Sequence, residues 1–157
     1  MATLEKAIEI AAIAHAGVKD KQGQPYILHC ITVMMGVELE DAKKVAVLHD
    51  VVEDTDVTLH DLRAQGFSET VLEALDLVTH RKDKPYSDYV ISCKKNQIAR
   101  LVKLSDLRHN TSIDRILLRS DRLAADSARL QKYVLSYRYL TDALTEEEYR
   151  AQVSPFE

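Results

Sequence analysis

Side chains that could bind a metal ion and activate a water molecule interrupt an apolar stretch in the first third of the chain. The stretch, residues 45–55, reads Val-Ala-Val-Leu-His-Asp-Val-Val-Glu-Asp-Thr and contains His49, Asp50, Glu53 and Asp54. Burying even a neutral polar group without a partner costs roughly 2–7 kcal/mol. On a helix, residues three and four apart share a face, so one helix end would present the imidazole and three carboxylates together. The pattern predicts a site for a divalent metal ion and a water.

A second His-Asp pair, His60-Asp61, has different neighbours and predicts a different role. It lies in the segment Thr-Leu-His-Asp-Leu, where Thr58 and Asp61 have the spacing of a capping box. In such a box two side chains satisfy the free amides at a helix N-terminus. We therefore assign this pair to a helix start and not to a metal site.

Two more candidate ligands lie outside the central stretch. His29 follows a loop that contains Pro25, at the start of an apolar helix predicted over 31–39, and position alone leaves open a ligand or a surface histidine. Asp106 ends an apolar run that begins at Ile98, and a carboxylate at that depth again requires a cation. Asn110 lies four residues later on the same helix face.

Helical periodicity dominates the rest of the chain, and only four glycines and three prolines punctuate its 157 residues. We expect an all-α fold with one domain over residues 1–157, in which the motifs occupy about 1–140 and a helical tail follows. Besides the helix over 31–39 and the apolar run that begins at Ile98, the apolar spacing and the capping residues predict six further helices and a helical tail. The helices are Thr3–His15, Asp41 to about 54–56, Thr58–Ala64, Ser68–Thr79, Tyr86–Cys93 and Asp121–Leu144, and Thr145–Glu148 cap the tail.

The overall charge limits the classes of partner. A net charge of −4 argues against a general nucleic-acid or membrane-surface binder, so an anionic ligand would need local lysines and a metal ion. Cys30 and Cys93 lack zinc-type spacing, which predicts a reduced, cytoplasmic setting. Glu5 and Glu9 within the first apolar stretch exclude a signal peptide or a membrane span there. The oligomeric state stays open.

Three motifs in order carry a family resemblance. They are Ala14-His15 through Gly-Gln-Pro-Tyr-Ile-Leu-His at 23–29, then Leu-His-Asp-Val-Val-Glu-Asp-Thr at 48–55, then Val-Lys-Leu-Ser-Asp at 102–106 through His109-Asn110. This arrangement resembles the HD phosphohydrolase superfamily. More narrowly, it resembles the hydrolase domain of the RelA/SpoT-homologue alarmone enzymes and their small, stand-alone relatives. The resemblance implies an HD-domain helical bundle.

The resemblance also implies that His29, His49, Asp50 and Asp106 hold one Mn²⁺. Two imidazoles and two carboxylates suit a borderline-hard ion such as Mn²⁺ or Fe²⁺, while Zn²⁺ fits them less well and imidazole ligands disfavour Mg²⁺. The family removes the 3′-pyrophosphate of (p)ppGpp, so the chain is expected to be a metal-dependent phosphohydrolase acting on a small nucleotide.

The remaining roles follow the same resemblance. Glu53 and Asp54 would manage the attacking water, and Asn110 would contact the substrate. In the loop before His29 the family usually has a basic pair that flanks the base and the phosphate. Here those positions are Asp20 and Lys21, preceded by Lys19, so the two lysines are the candidate phosphate contacts. A carboxylate cannot stack on a base as a guanidinium does.

Two other functions stay open at this point. One is an HD hydrolase for another phosphorylated nucleotide, such as an adenosine alarmone, a nucleoside monophosphate or NADPH. The other is an HD module that binds a nucleotide or a protein without turnover. The Glu53-Asp54 pair argues against the second, because a sensor has no need of water-handling carboxylates beside a metal site.

Overall fold

Ten α-helices and one C-terminal 3₁₀ turn form the computed structural model, which describes residues 1–157. The helices are α1 Leu4–Ala14, α2 Ile27–Met35, α3 Glu40–Leu48, α4 Val51–Asp54, α5 Leu59–Ala64, α6 Glu69–Val78, α7 Tyr86–Lys94, α8 Gln97–Asn110, α9 Leu123–Leu140 and α10 Glu146–Val153, and the 3₁₀ turn is Ser154–Phe156. An isolated bridge between Lys19 and Pro25 is the only β-type pairing. The all-α prediction is confirmed.

Helix α3 lies at the centre of the fold. Val45, Ala46, Val47 and Leu48 are fully buried, because α1, α2, α6 and α8 pack around the helix. Burying a Val or Leu side chain stabilises the fold by about 1.5–3 kcal/mol relative to exposure. The same burial carries His49, the next residue, into the interior, where it is 4% exposed.

Side-chain caps set several helix boundaries. The side chains of Thr3, Ser68 and Asn96 accept amide hydrogen bonds at the starts of α1, α6 and α8. Thr58 and Thr145 each form a complete capping box at the starts of α5 and α10. Both predicted boxes are therefore present, and such caps contribute about 1 kcal/mol each.

The helix predicted from Asp41 to 54–56 is instead two helices. Helix α3 ends at Leu48 and helix α4 begins at Val51, so His49 and Asp50 lie between the two helices. The Nδ1 atom of His49 lies 2.7 Å from the carbonyl oxygen of Ala46, so this side chain uses a backbone acceptor at the break. Asp41 is not the cap that we predicted, because the cap position belongs to Leu39, which makes no side-chain bond.

Two other predicted boundaries are wrong. Helix α2 begins at Ile27 and not at Ile31, since a proline just before a helix is compatible with its first turn. His29 therefore lies inside the first turn of α2. Helix α9 runs from Leu123 to Leu140 and not from 121 to 144, and Asp142 beyond it has a left-handed φ of 64°. No helix of the fold has both the length and the apolar composition needed to cross a membrane.

Candidate active site

The four predicted metal ligands meet at one place. His29 comes from α2, His49 and Asp50 from the junction of α3 and α4, and Asp106 from α8. Ligand atoms of the first three lie within 4.8 Å of one another. The Oδ1 atom of Asp106 is 3.2 Å from the Nε2 atom of His29 and 3.6 Å from that of His49. Three segments distant in sequence thus form one cluster of two imidazoles and two carboxylates.

The orientation of His49 shows why a cation fits this cluster. A carbonyl oxygen can only accept, so the Nδ1–H of His49 donates to Ala46 and the neutral ring keeps its lone pair on Nε2. That Nε2 atom is buried and makes no hydrogen bond, although it lies 3.0 Å from Oδ2 of Asp50. In the neutral form of His49, acceptor atoms therefore face one another, and a divalent cation between them would satisfy all of them.

Charge in the cluster keeps the carboxylates in the form that binds a cation. Burial raises the pKa of Asp106, but the Lys103 ammonium and the two imidazoles outweigh it and hold that pKa well below its usual value. Burial also raises the pKa of Asp50, which His49 and His29 bring below its usual value. Conversely, burial lowers the pKa of His49, yet the negative charges of Asp50 and Asp106 beside its Nε2 atom raise it well above normal. A bound cation and a proton would therefore compete for His49.

Neighbouring donors fix the two carboxylates. Lys103 donates to Oδ2 of Asp106 at 2.8 Å, and Asn110 donates to its Oδ1 at 2.7 Å. The hydroxyl of Tyr26 donates to Oδ2 of Asp50 at 2.5 Å. Our sequence analysis did not identify Lys103 or Tyr26, although a buried lysine three residues before a buried aspartate on one helix is a usable signal. The amide of Asn110 is engaged with Asp106 here, while its predicted substrate contact remains a prediction.

Glu53 and Asp54 on α4 line the cavity beside the cluster but lie outside the group of ligand atoms. One oxygen of Glu53 accepts a bond of 2.8 Å from the backbone amide of His80, which anchors the side chain. Desolvation at the cavity wall raises the pKa of Glu53, and so do the charges of Asp50 and Asp54. The same two causes, desolvation and the charge of Asp50, raise the pKa of Asp54. Both carboxyls thus have raised affinity for protons.

The cluster opens into a cavity of about 520 Å³. The predicted contacts Lys19, Lys21 and Asn110 all line it. The sequence analysis missed several other cationic and aromatic lining residues, which are Lys103, Arg115, Arg129, Lys132, Tyr86, Tyr89 and Tyr133. The cavity is therefore rich in cations although the chain as a whole carries a net charge of −4.

Asp20, at the position where the family usually has a basic residue, binds a guanidinium from elsewhere in the chain. Its Oδ2 accepts from Nη1 of Arg115 at 3.0 Å, and its Oδ1 accepts from the amides of Gln22 and Gln24 at 2.9 Å. Burial raises the pKa of Asp20, but these amide bonds and Arg115 bring it below normal. A guanidinium thus lines the cavity beside this loop, supplied by the segment after α8.

Three of the histidines that were not assigned as ligands, His15, His60 and His80, lie outside the cluster. His60 is exposed on α5, does not line the cavity and belongs to the helix start formed by the Thr58–Asp61 capping box. His15 is buried, with its ring 5.0 Å from that of Tyr26. His80 does line the cavity, so the loop after α6 takes part in its wall.

Curated proteins with similar sequences are alarmone enzymes. The chain is 32% identical over 129 residues to a GTP pyrophosphokinase of Streptomyces coelicolor, and 32% identical over 139 residues to a guanosine-3′,5′-bis(diphosphate) 3′-pyrophosphohydrolase of Borreliella burgdorferi. These matches cover 74% and 77% of this chain but 15% and 20% of the relatives. The chain therefore spans a fifth or less of the length of these relatives. No protein-family model matches it.

A solved structure shares the fold. It belongs to a protein described as a metazoan ortholog of SpoT that hydrolyses ppGpp, and it superimposes with a TM-score of 0.69 at 23% identity. The superposition covers 99% of this chain and 94% of the other. The likeness therefore extends over the whole chain and is not limited to the segments that carry the motifs.

Proposed function

Since the chain belongs to the HD-type RelA/SpoT hydrolase family, we propose that it is a metal-dependent phosphohydrolase that removes the 3′-pyrophosphate of (p)ppGpp. The observation that carries this proposal is the convergence of His29, His49, Asp50 and Asp106 at the floor of a cation-rich cavity. We propose that these four residues hold one Mn²⁺.

The chain's own residues divide the work. A bound divalent ion would supply charge to polarise a phosphoryl oxygen and to acidify a water. Glu53 is the proposed base, because it lines the cavity, lies outside the ligand group and has a raised pKa. Asp54, one residue on, would orient the same water. Lys19, Lys21 and Asn110, which also line the cavity, would position the phosphates of the nucleotide.

A substrate panel tests this proposal. Metal-free protein reloaded with Mn²⁺ would be incubated with ppGpp, pppGpp, ppApp, a nucleoside monophosphate and NADPH, with products identified by mass spectrometry. We expect ppGpp to give GDP and pyrophosphate. If another nucleotide is turned over faster than ppGpp, that nucleotide would become the proposed substrate. If the protein binds a nucleotide tightly but hydrolyses none of the panel, it would be a non-catalytic binding module.

We further propose a cytoplasmic setting. Cys30 and Cys93 are both free and buried, and burial raises the pKa of each thiol to about 12. Thiols of this kind suit a reducing compartment, where disulfides are rare. Growth-phase fractionation of the native host with an antibody to the chain would test this location.

A further inference from the structure

A hydrogen bond between two histidine side chains links α2 to α8 behind the cluster. The Nδ1 atom of His29 lies 2.7 Å from the Nδ1 atom of His109. The two ring planes differ by 13°, and the ring centres are 4.9 Å apart. Rings stacked face to face could not bring two of their nitrogens this close. The imidazoles therefore lie edge to edge in nearly one plane, which is the geometry of a direct N–H···N bond.

The neighbours of His29 decide which ring donates the proton. Its Nε2 atom faces Oδ1 of Asp106 at 3.2 Å and Oδ2 of Asp50 at 3.5 Å. To serve as a ligand, that Nε2 atom must keep its lone pair free for the ion. A neutral imidazole has one N–H group, so the proton of His29 must be on Nδ1. His109 must then offer the lone pair of its own Nδ1.

We infer that His109 is a positioning residue for His29, because its Nδ1 accepts the Nδ1–H of His29 and fixes the ring with Nε2 toward the two carboxylates. The inference rests on the proposed metal site. It adds to that site a residue that neither lines the cavity nor offers a ligand atom to the cluster.

The two histidine ligands are held by different kinds of acceptor. His49 is held by the backbone carbonyl of Ala46, which no side-chain substitution at position 46 removes. His29 is held by a replaceable side chain on another helix. Acceptors behind ligand histidines typically contribute 10–100-fold to metal affinity, so His109 offers a direct way to measure this contribution.

The test compares three substitutions that separate hydrogen bonding from packing. His109→Phe keeps a flat ring and removes the acceptor. His109→Asn loses the ring but places its carbonyl oxygen near the former Nδ1 position. His109→Gln carries its carbonyl about one bond too far, so it is the polar control for Asn. His60→Phe, at an exposed histidine outside the cluster, is the control that shows whether replacing any histidine by phenylalanine lowers the affinity for Mn²⁺.

The readout is the Mn²⁺ dissociation constant of metal-stripped protein, measured by electron paramagnetic resonance of the free ion, with the melting temperature as a check on folding. We expect His109→Phe and His109→Gln to weaken binding by about 10–100-fold. His109→Asn should retain most of the affinity, and His60→Phe all of it.

The opposite order would overturn the inference. If the role were packing, Phe would bind like the wild type and Asn would lose affinity. If His109→Phe and His109→Gln both bind Mn²⁺ with wild-type affinity, His109 has no positioning role, and the proposed hydrolase function is unaffected. A wild-type protein that binds no stoichiometric Mn²⁺ would instead overturn the metal centre, and this inference with it.

Discussion

At the scale of single residues, the cavity contains side chains that are proposed to hold an ion and others that are proposed to handle water. Asp50 is in the ligand group, whereas Glu53 lies outside it and is anchored by the amide of His80. Both are carboxylates within four positions of one another, and only their placement distinguishes them. Substituting each by its amide therefore separates two kinds of loss.

We expect Glu53→Gln to lower turnover by about 10²–10⁴-fold, which is the usual contribution of a general acid or base. Its metal content should stay the same, because the lost proton acceptor is not a ligand. Asp50→Asn should lose metal as well as rate. Metal stoichiometry measured beside single-turnover hydrolysis of ppGpp compares the two. Loss of the ion in Glu53→Gln would make Glu53 a ligand, and the water-handling role would pass to Asp54.

The two His-Asp pairs give a second comparison at this scale. His49→Ala removes a buried ligand and should abolish turnover. His60→Ala should leave turnover nearly unchanged, since its side chain is exposed and only the neighbouring Thr58 and Asp61 form the helix cap. Steady-state rates and circular dichroism of both variants check this. Equal inactivation of two folded variants would contradict the assignment of the second pair.

The same contrast shows which parts of the site a sequence can reveal. The places of His49 and Asp50 in the buried cluster were predictable because their polar groups interrupt an apolar run, and that of Asp106 because it ends one. Arg115 and Arg129 were not predictable, because they reach the cavity only through the packing of a loop and α9. Burial within an apolar run leaves a local signal in sequence, whereas the convergence of cations from separate segments depends on tertiary structure.

At the scale of elements, periodicity predicted which segments are helical but not where a helix breaks. A run such as 41–54 has the same apolar spacing whether it is one helix or two, so nothing in the spacing marks the interruption at His49. The start of α2 was misplaced for a related reason, since Pro25 restricts the residue before it and not those after it. Both errors fall beside proposed ligands: His49 and Asp50 lie at the break between α3 and α4, and His29 lies in the first turn of α2.

The approach of α2 to α8 depends on a glycine. Gly36 caps the end of α2, and a Cβ atom added there would collide with Oγ of Ser105, which itself donates to the carbonyl oxygen of Val33 at 2.8 Å. Ser105 directly precedes the ligand Asp106. A close contact of backbone and side chain therefore sets the distance between two helices that carry ligands.

We expect Gly36→Ala to destabilise the fold by about 1–3 kcal/mol, the usual cost of overpacking. Ser105→Ala alone should cost about 1 kcal/mol for its lost hydrogen bond. The double variant should recover much of the Gly36→Ala loss, because only the Oγ atom is too close while the Ser105 Cβ would be 3.2 Å away. Urea unfolding of the four proteins measures this coupling. Strict additivity of the two losses would show that Ser105 is not the obstacle.

At the scale of the whole molecule, the proposed ion would act as a cross-link. Its ligands come from positions 29, 49–50 and 106, so they are brought together only by the folded chain. The core around α3 holds these segments in place, and it brings the buried Nε2 atom of His49 within 3.0 Å of a carboxylate oxygen of Asp50, so a cation or a proton is needed between them. Binding of the ion should therefore stabilise the fold as well as enable the chemistry.

The size of this stabilisation can be anticipated from linkage. An ion present at 100 times its dissociation constant stabilises a folded state that alone binds it by about 2.7 kcal/mol. For a chain of this length, 1 kcal/mol shifts the melting temperature by roughly 2–4 °C, so saturating Mn²⁺ should raise it by roughly 5–11 °C over chelated protein. Calorimetry with EDTA and with added Mn²⁺ measures the shift, and His49→Ala, which lacks a proposed ligand, should show little of it.

The shift should also shrink as the pH falls, because the carboxylates of Asp50 and Asp106 raise the pKa of His49 well above normal and protons then compete with the ion for Nε2. A wild-type melting temperature that does not respond to chelation or to Mn²⁺ would show that the cluster is held together by protons and hydrogen bonds alone.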